Sequence, residues 1–204
     1  MMLKLNLPKP SKELYAEIWR VANDAGYDWP LKAGLDKINR YEVNSITHVF
    51  PEDSILNELT IKEYQEYFQG HKLIPSVGVL RNTEKDRVSC FPPHGDRTRI
   101  FALNFYIQKG GKDVQTVFYD KHISLDSGPG TGEQFRYDQV EVETVYRTKM
   151  DTWYALNVRQ IHSVENIETI RIIYTISFHH FNMVEFVEKY HSYIQVIPEP
   201  QSHK

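Results

Sequence analysis

Apolar residues follow a helical spacing in the first third of the chain. They recur every three to four positions from Ser11 to Ala25, which predicts a helix, and Gly26 is placed to end it. Thr60 and Glu63 form a capping-box pattern, which predicts the start of a second short helix. Residues 1–76 are therefore expected to be mainly helical.

From about residue 77 the pattern changes to short strand-like segments, separated by turns rich in glycine and proline. The segments are Val77–Leu80, Val88–Phe91, Arg99–Ile107, Val114–Tyr119, Gln139–Tyr146, Trp153–Asn157 and Ile170–Phe178. Such a series without intervening helices is typical of a sandwich or a double-sheet jelly roll. Asn182 can cap a last helix. We expect one domain over 1–204, with a helical part at about 1–76, a β core at about 77–178, and a C-terminal helix and tail at about 179–204.

Composition narrows the classes of partner. The net charge is −3 without a cluster of Lys and Arg, which argues against nucleic acid. An aromatic share of 13% favours β structure. No signal peptide and no run of about 18 apolar residues occur, so no membrane segment is expected. Cys90 is the single cysteine, which excludes an intrachain disulfide and favours a reducing, cytoplasmic location. Nothing in the pattern indicates an oligomeric state.

The segment His94-Gly95-Asp96 is the candidate metal-binding sequence. In extended backbone, residues i and i+2 project to the same side, so His94 and Asp96 face one point. A third ligand must come from elsewhere, and His162, in a strand-like region late in the chain, is the best candidate. Two histidines and one carboxylate form the arrangement of non-haem Fe(II) oxygenases. The alternative is that the segment is only a polar turn after Pro92-Pro93.

A predicted hairpin brings a cation to the third ligand. Glu165–Glu168 has the composition of a turn, and pairing of Val164 with Thr169 would place His162 opposite Arg171. Directly opposed residues share a sheet face, with Cβ atoms roughly 5 Å apart. A guanidinium there would bind an anion beside the metal, and arginine suits a carboxylate. The sequence therefore predicts a metal site next to a carboxylate clamp, as a keto-acid co-substrate needs.

Four segments together resemble the core of the 2-oxoglutarate/Fe(II)-dependent dioxygenases, in the manner of the aspartyl/asparaginyl and prolyl hydroxylase-like branches. They are His94–Ile107, Thr116–Tyr119, His162–Asn166 and Arg171–Phe178. The likeness covers roughly residues 77–178, about half of the chain. It implies a mainly β fold, a cupin-like double-stranded β-helix (jelly roll) with a few flanking helices.

The resemblance also implies roles for individual residues. His94, Asp96 and His162 match the catalytic metal triad, and Arg171 matches the residue that holds the distal carboxylate of 2-oxoglutarate. Many members place Ser or Thr two residues after that arginine, where this chain has Ile173. The second hydrogen bond to the co-substrate must then come from another side chain. The candidates are Asn104, Tyr106 and Tyr119, for which simple packing is an equal alternative.

The implied activity is an oxidative decarboxylation of 2-oxoglutarate, coupled to hydroxylation of a substrate C–H. It requires Fe(II), 2-oxoglutarate and dioxygen, and the substrate is a small molecule or a protein side chain. One alternative is a cupin-type metal enzyme without 2-oxoglutarate, which has no need of Arg171. Another is a non-enzymatic jelly-roll binding module that uses the glycine-rich segment 127–132. Residues 113–146 form either a lid over the site or a solvated insertion.

Overall fold

A computed structural model describes residues 1–32, 43–49, 53–82, 89–96, 99–122, 133–178 and 181–195. The helices are α1 (Lys12–Lys32), α2 (Ile55–Tyr64) and α3 (Met183–Tyr190). The strands are β1 (Met2–Leu5), β2 (Val43–Val49), β3 (Ile74–Asn82), β4 (Ser89–Gly95), β5 (Phe101–Lys109), β6 (Gln115–His122), β7 (Glu133–Gln134), β8 (Val142–Tyr146), β9 (Trp153–Asn157), β10 (Gln160–Ile167), β11 (Arg171–Phe178) and β12 (Ile194–Gln195). None of the helices in these ranges is long and apolar enough to cross a membrane.

Two antiparallel sheets form the fold. The large sheet has the order β12-β1-β9-β5-β11-β3-β2, and the small sheet has the order β7-β4-β10-β6-β8. From β3 to β11 the chain passes repeatedly between the sheets, with β3, β5, β9 and β11 in the large one and β4, β6, β8 and β10 in the small one. This topology is a double-stranded β-helix, to which the remaining strands add edges. The predicted mainly β jelly roll with a few helices is confirmed.

The large sheet has two different faces because side chains alternate along each strand. On β5, Leu103 and Phe105 belong to the main core, which also contains Ile18 of α1 and Phe186 of α3. Tyr106 projects to the other face, where it packs with residues that include Phe118 of the small sheet. The helices thus cover one face of the large sheet, and the space between the sheets lies on the other.

The N-terminal third differs from the sequence prediction. The helix α1 continues through Gly26, because one glycine costs a helix only about 1 kcal/mol relative to alanine. The cap of α2 is Ser54, whereas Thr60 lies buried inside the helix. The strands β1 and β2 join the large sheet by pairing with β9 and β3, partners that local spacing does not reveal. At the other end the prediction is confirmed, since the side chain of Asn182 caps α3.

The predicted hairpin between β10 and β11 is wrong. Strand β10 pairs with β4 and β6 in the small sheet, whereas β11 pairs with β3 and β5 in the large sheet. His162 lies opposite His94 and Phe118, and Arg171 lies opposite Leu80. The physical reason is that these consecutive strands of a β-helix belong to facing sheets, so the short connection between them passes from one sheet to the other instead of closing a ladder.

Candidate metal centre

The strands β4 and β10 bring the three predicted ligands together. His94 and His162 are directly paired across the two strands, and their ring centroids are 4.4 Å apart. Asp96 follows β4, and its backbone N–H donates to the carbonyl of Val158 over 3.0 Å. The potential ligand atoms of the triad all lie within 4.8 Å of one another. Bonds of about 2.1 Å place neighbouring ligands about 3 Å apart, so small side-chain rotations suffice to hold one ion.

Backbone carbonyls orient both imidazoles. Nδ1 of His94 lies 2.8 Å from the carbonyl oxygen of Pro92, and Nδ1 of His162 lies 3.0 Å from that of Gln160. A carbonyl oxygen only accepts, so each Nδ1 carries the hydrogen and donates it. Each Nε2 therefore keeps a free lone pair. This is the second contact that metal-ligating histidines usually make.

The protonation states of the triad suit a cation. Burial lowers the pKa of His94, and burial together with the neighbouring His94 lowers the pKa of His162 to about 3. Burial by itself opposes ionisation of Asp96, but Arg99 and the two imidazoles hold its pKa below the usual value. At neutral pH the group consists of two neutral imidazoles and one carboxylate, which are the forms that bind metal.

Arg99 is a member of the site that sequence reasoning missed. Its Nη2 donates to Oδ2 of Asp96 over 2.5 Å, and the two side chains are 29% and 13% exposed. The only sequence signal is its position three residues after Asp96. Arg99 was interpreted only as the start of a strand, although β5 begins at Phe101.

Arg171 is fully buried between the sheets. Its Nη1 donates to the carbonyl of Lys109 and its Nη2 to Oγ1 of Thr116, both over 3.3 Å, and its Cζ lies 4.6 Å from the centroid of the Tyr106 ring. Its Nε finds no hydrogen-bond partner in the part of the chain that the structure describes. Among the described residues no carboxylate pairs with it. Burial lowers the pKa of Arg171, but a guanidinium remains protonated in proteins.

The register places this guanidinium near the triad. Thr116 precedes Phe118 by two residues on β6, so both side chains project from the same face of the strand, about 7 Å apart along it. The ring of Phe118 stacks on that of His162, with centroids 5.8 Å apart. The cation therefore lies on the inner side of the sheets, roughly one row of residues below the proposed ligands.

The three candidates for the second co-substrate contact lie on two different faces. Tyr106 faces the interior beneath Arg171. Asn104, two residues earlier on β5, faces the same side and accepts a hydrogen bond of 2.8 Å from Thr175. Tyr119 instead bonds Ser163 over 3.0 Å, on the outer face of the small sheet. Because Tyr119 and Phe118 are consecutive in a strand, only one of the two can face the interior, and the structure places Tyr119 away from the triad.

Comparisons with known proteins give matches only among solved structures, since no family model and no curated protein matches. A Pseudomonas putida prolyl-4-hydroxylase is 11% identical with a TM-score of 0.45, covering 88% of this chain and 94% of that one. The viral collagen prolyl hydroxylase of Paramecium Bursaria Chlorella virus-1 is 12% identical with a TM-score of 0.47, and the match covers 89% of this chain and 96% of that one. E. coli ycfD is 10% identical with a TM-score of 0.44. That match covers 71% of this chain and 36% of ycfD, so this chain spans about a third of the length of that protein. At such identities no residue of this chain takes a role from these proteins.

Proposed function

We propose that this protein is an Fe(II)- and 2-oxoglutarate-dependent oxygenase that hydroxylates its substrate. The observation that carries the proposal is a buried guanidinium that no carboxylate of the described residues pairs with, placed between the same two sheets as a group of two histidines and one carboxylate. The triad alone is compatible with several metal enzymes. The cation beside it favours a co-substrate that both chelates a metal and ends in a carboxylate.

The energetics of Arg171 support a bound anion. An uncompensated charge in a protein interior costs several kcal/mol, and buried charges are normally paired. The two hydrogen bonds of Arg171 go to neutral oxygens and its Nε has none. A carboxylate is a planar acceptor that fits a guanidinium through two parallel hydrogen bonds. The distal carboxylate of 2-oxoglutarate would supply the missing charge and the missing acceptor together.

In this proposal each part of the site has a separate task. His94, Asp96 and His162 would hold Fe(II), and Arg171 would bind the distal carboxylate of 2-oxoglutarate. Iron bound there, together with 2-oxoglutarate and dioxygen, supplies the oxidising power to hydroxylate a C–H bond.

Neighbouring side chains would orient the co-substrate and exclude water. Tyr106 and Asn104 project into the same interior and would donate hydrogen bonds to the co-substrate. The rings of Phe91 and Phe118 lie 4.5 Å from that of His94 and 5.8 Å from that of His162, respectively. Both rings limit the access of water to the imidazoles.

The substrate is proposed to be a small molecule or a protein side chain, and the compartment the cytoplasm. The described parts of the predicted lid region 113–146 are mainly the strands β6, β7 and β8. The stretch 123–132, with its glycine-rich segment, lies outside the described residues. A lid role for that stretch stays a prediction.

The test is an anaerobic titration of the metal-free protein with Fe(II) and then 2-oxoglutarate, followed by the visible charge-transfer band of the chelate. The band is expected in the wild type. It should be lost in His162→Ala, and it should need far more 2-oxoglutarate in Arg171→Ala. Tyr119→Phe is the matched control, because Tyr119 lies on the outer face and its loss should leave the band unchanged. Iron binding without the band in the wild type would contradict the proposal and favour a metal enzyme without 2-oxoglutarate.

A second test measures turnover. Asp96→Ala removes the only anionic ligand and should abolish succinate production from 2-oxoglutarate. Succinate release at the wild-type rate in this variant would rule out the proposed centre.

A further inference from the structure

The two oxygens of the Asp96 carboxylate have different surroundings. Oδ2 accepts a hydrogen bond of 2.5 Å from the guanidinium of Arg99, and the hydrogen bonds of the described residues include none to Oδ1. The pair is well shielded, since the Asp96 side chain is only 13% exposed. Shielding of this kind makes an ion pair stronger than one on the open surface. One oxygen of the proposed ligand is thus held by Arg99, and the other has no hydrogen bond from the described residues.

This asymmetry matters because a carboxylate can bind a metal through one oxygen or through both. The proposed chemistry needs three free positions on a six-coordinate iron, two for 2-oxoglutarate and one for dioxygen. Two histidines and a one-point carboxylate leave those three positions open. A two-point carboxylate would occupy one of them and compete with the co-substrate.

We propose that Arg99 is a positioning residue that keeps Asp96 a one-point ligand by holding its Oδ2. The inference rests on the proposed function, because it assigns the ligating atom within the same metal centre. In it Arg99 acts on the co-substrate only through Asp96. The role requires a guanidinium next to the ligand.

The proposal predicts that loss of Arg99 affects the affinities for Fe(II) and for 2-oxoglutarate differently. A guanidinium close to the site repels a divalent cation, and it occupies an oxygen that the cation could use. Loss of Arg99 should therefore leave Fe(II) binding as tight as before, or tighten it. The affinity for 2-oxoglutarate should fall, because the freed oxygen takes a coordination position. A residue needed only for folding would weaken both affinities together.

The experiment compares the full-length wild type with Arg99→Met, which removes the charge and the donors, and Arg99→Lys, which keeps the charge and a donor. Arg20→Met is the matched control, because Arg20 forms comparable ion pairs with Glu17 and Asp24 on the exposed side of α1. Three quantities are measured without oxygen: the visible spectrum of the Co(II)-loaded protein, the Kd of Fe(II), and the Kd of 2-oxoglutarate in the presence of Fe(II).

For Arg99→Met we expect an altered Co(II) spectrum, an Fe(II) Kd no higher than that of the wild type, and a 2-oxoglutarate Kd raised about tenfold, which corresponds to about 1.4 kcal/mol. Arg99→Lys should restore part of each property, and Arg20→Met should match the wild type. If Arg99→Met does not fold, Arg99→Ala takes its place, and an unchanged Co(II) spectrum and 2-oxoglutarate Kd in that variant would overturn the inference.

Three outcomes count against it. An unchanged 2-oxoglutarate Kd in Arg99→Met overturns the inference while the proposed function stands. An unchanged Co(II) spectrum with a raised Kd also overturns it, since Arg99 would then touch the co-substrate directly. Absence of metal binding in the wild type overturns the proposed function itself, and with it the inference.

Discussion

Replacing Arg171 with methionine should stabilise the metal-free, ligand-free protein. The substitution removes a fully buried charge but keeps an unbranched side chain of similar length, so little empty volume is created. The losses are two hydrogen bonds of 3.3 Å, to Lys109 and Thr116, and the contact of the guanidinium with the ring of Tyr106. If the role of Arg171 is to bind an anion, its buried charge destabilises the folded protein while the anion is absent.

The magnitude follows from these contacts. A buried ion costs several kcal/mol in desolvation, and replacing buried ionic groups by apolar ones often stabilises a protein by about 1–4 kcal/mol. That range is a net effect, so it already includes the partner contacts that such groups lose. For Arg171 these contacts are roughly 1 kcal/mol for each hydrogen bond and about 2 kcal/mol for a desolvated cation–π contact. We expect the free energy of unfolding to rise by about 1–3 kcal/mol. At about 2–4 °C per kcal/mol for a chain of this size, the Tm should rise by roughly 2–12 °C.

The assay is urea and thermal unfolding after chelator treatment, repeated without oxygen with Fe(II) and 2-oxoglutarate. The wild type should gain about 2.7 kcal/mol when 2-oxoglutarate is present at 100 times its Kd, whereas Arg171→Met should gain almost nothing from the same concentration. Arg20→Met removes an exposed arginine, so it controls for the effect on stability of replacing any arginine with methionine. A decrease of more than about 1 kcal/mol in the stability of metal-free Arg171→Met would refute the reasoning, because the arginine would then be a structural element.

Three further predictions concern other parts of the site. The metal-free protein should lose stability as the pH falls below about 6.5, because the folded state lowers the pKa of His162 to about 3 and the unfolded chain binds the proton first. At pH 5 this one residue should lower the free energy of unfolding by about 2 kcal/mol. Urea unfolding from pH 5 to 8 measures this, and a free energy that did not fall toward pH 5 would contradict the prediction. Gly110→Ala should destabilise by about 1–3 kcal/mol and weaken 2-oxoglutarate binding, because a Cβ there would lie 2.9 Å from that of the buried arginine at a φ of +92°. Gly70→Ala, at a φ of +82° in open space, is its control and should affect stability alone in the same unfolding and titration assays. Tyr106→Phe should raise the Kd of 2-oxoglutarate and Tyr119→Phe should not, and equal effects in an anaerobic titration would contradict the assignment of faces.

The sequence predicted the members of the site better than their arrangement. His94 and Asp96 are recognisable because a two-residue spacing in extended backbone needs no tertiary information. Arg171 was placed beside His162 by a predicted hairpin that does not exist, since β10 and β11 lie in different sheets. Both side chains nevertheless face the interior, because facing sheets turn their inner sides toward the same space. Arg99 was missed because no spacing rule marks an ion pair across the end of a strand.

What the amino-acid order specified without help was local: the alternation of apolar residues that makes the second half a series of strands, the Asn182 cap of the last helix, and the His-x-Asp pair. The tertiary structure decided which strands pair and therefore which faces meet. It set Tyr119 outside and Tyr106 inside, and it left the guanidinium of Arg171 without an anion among the described residues. The physical reason is that strand pairing joins residues far apart in the chain through backbone hydrogen bonds that are the same for every residue type. Local spacing can show that a strand exists, but only the packing of the two sheets selects its neighbours.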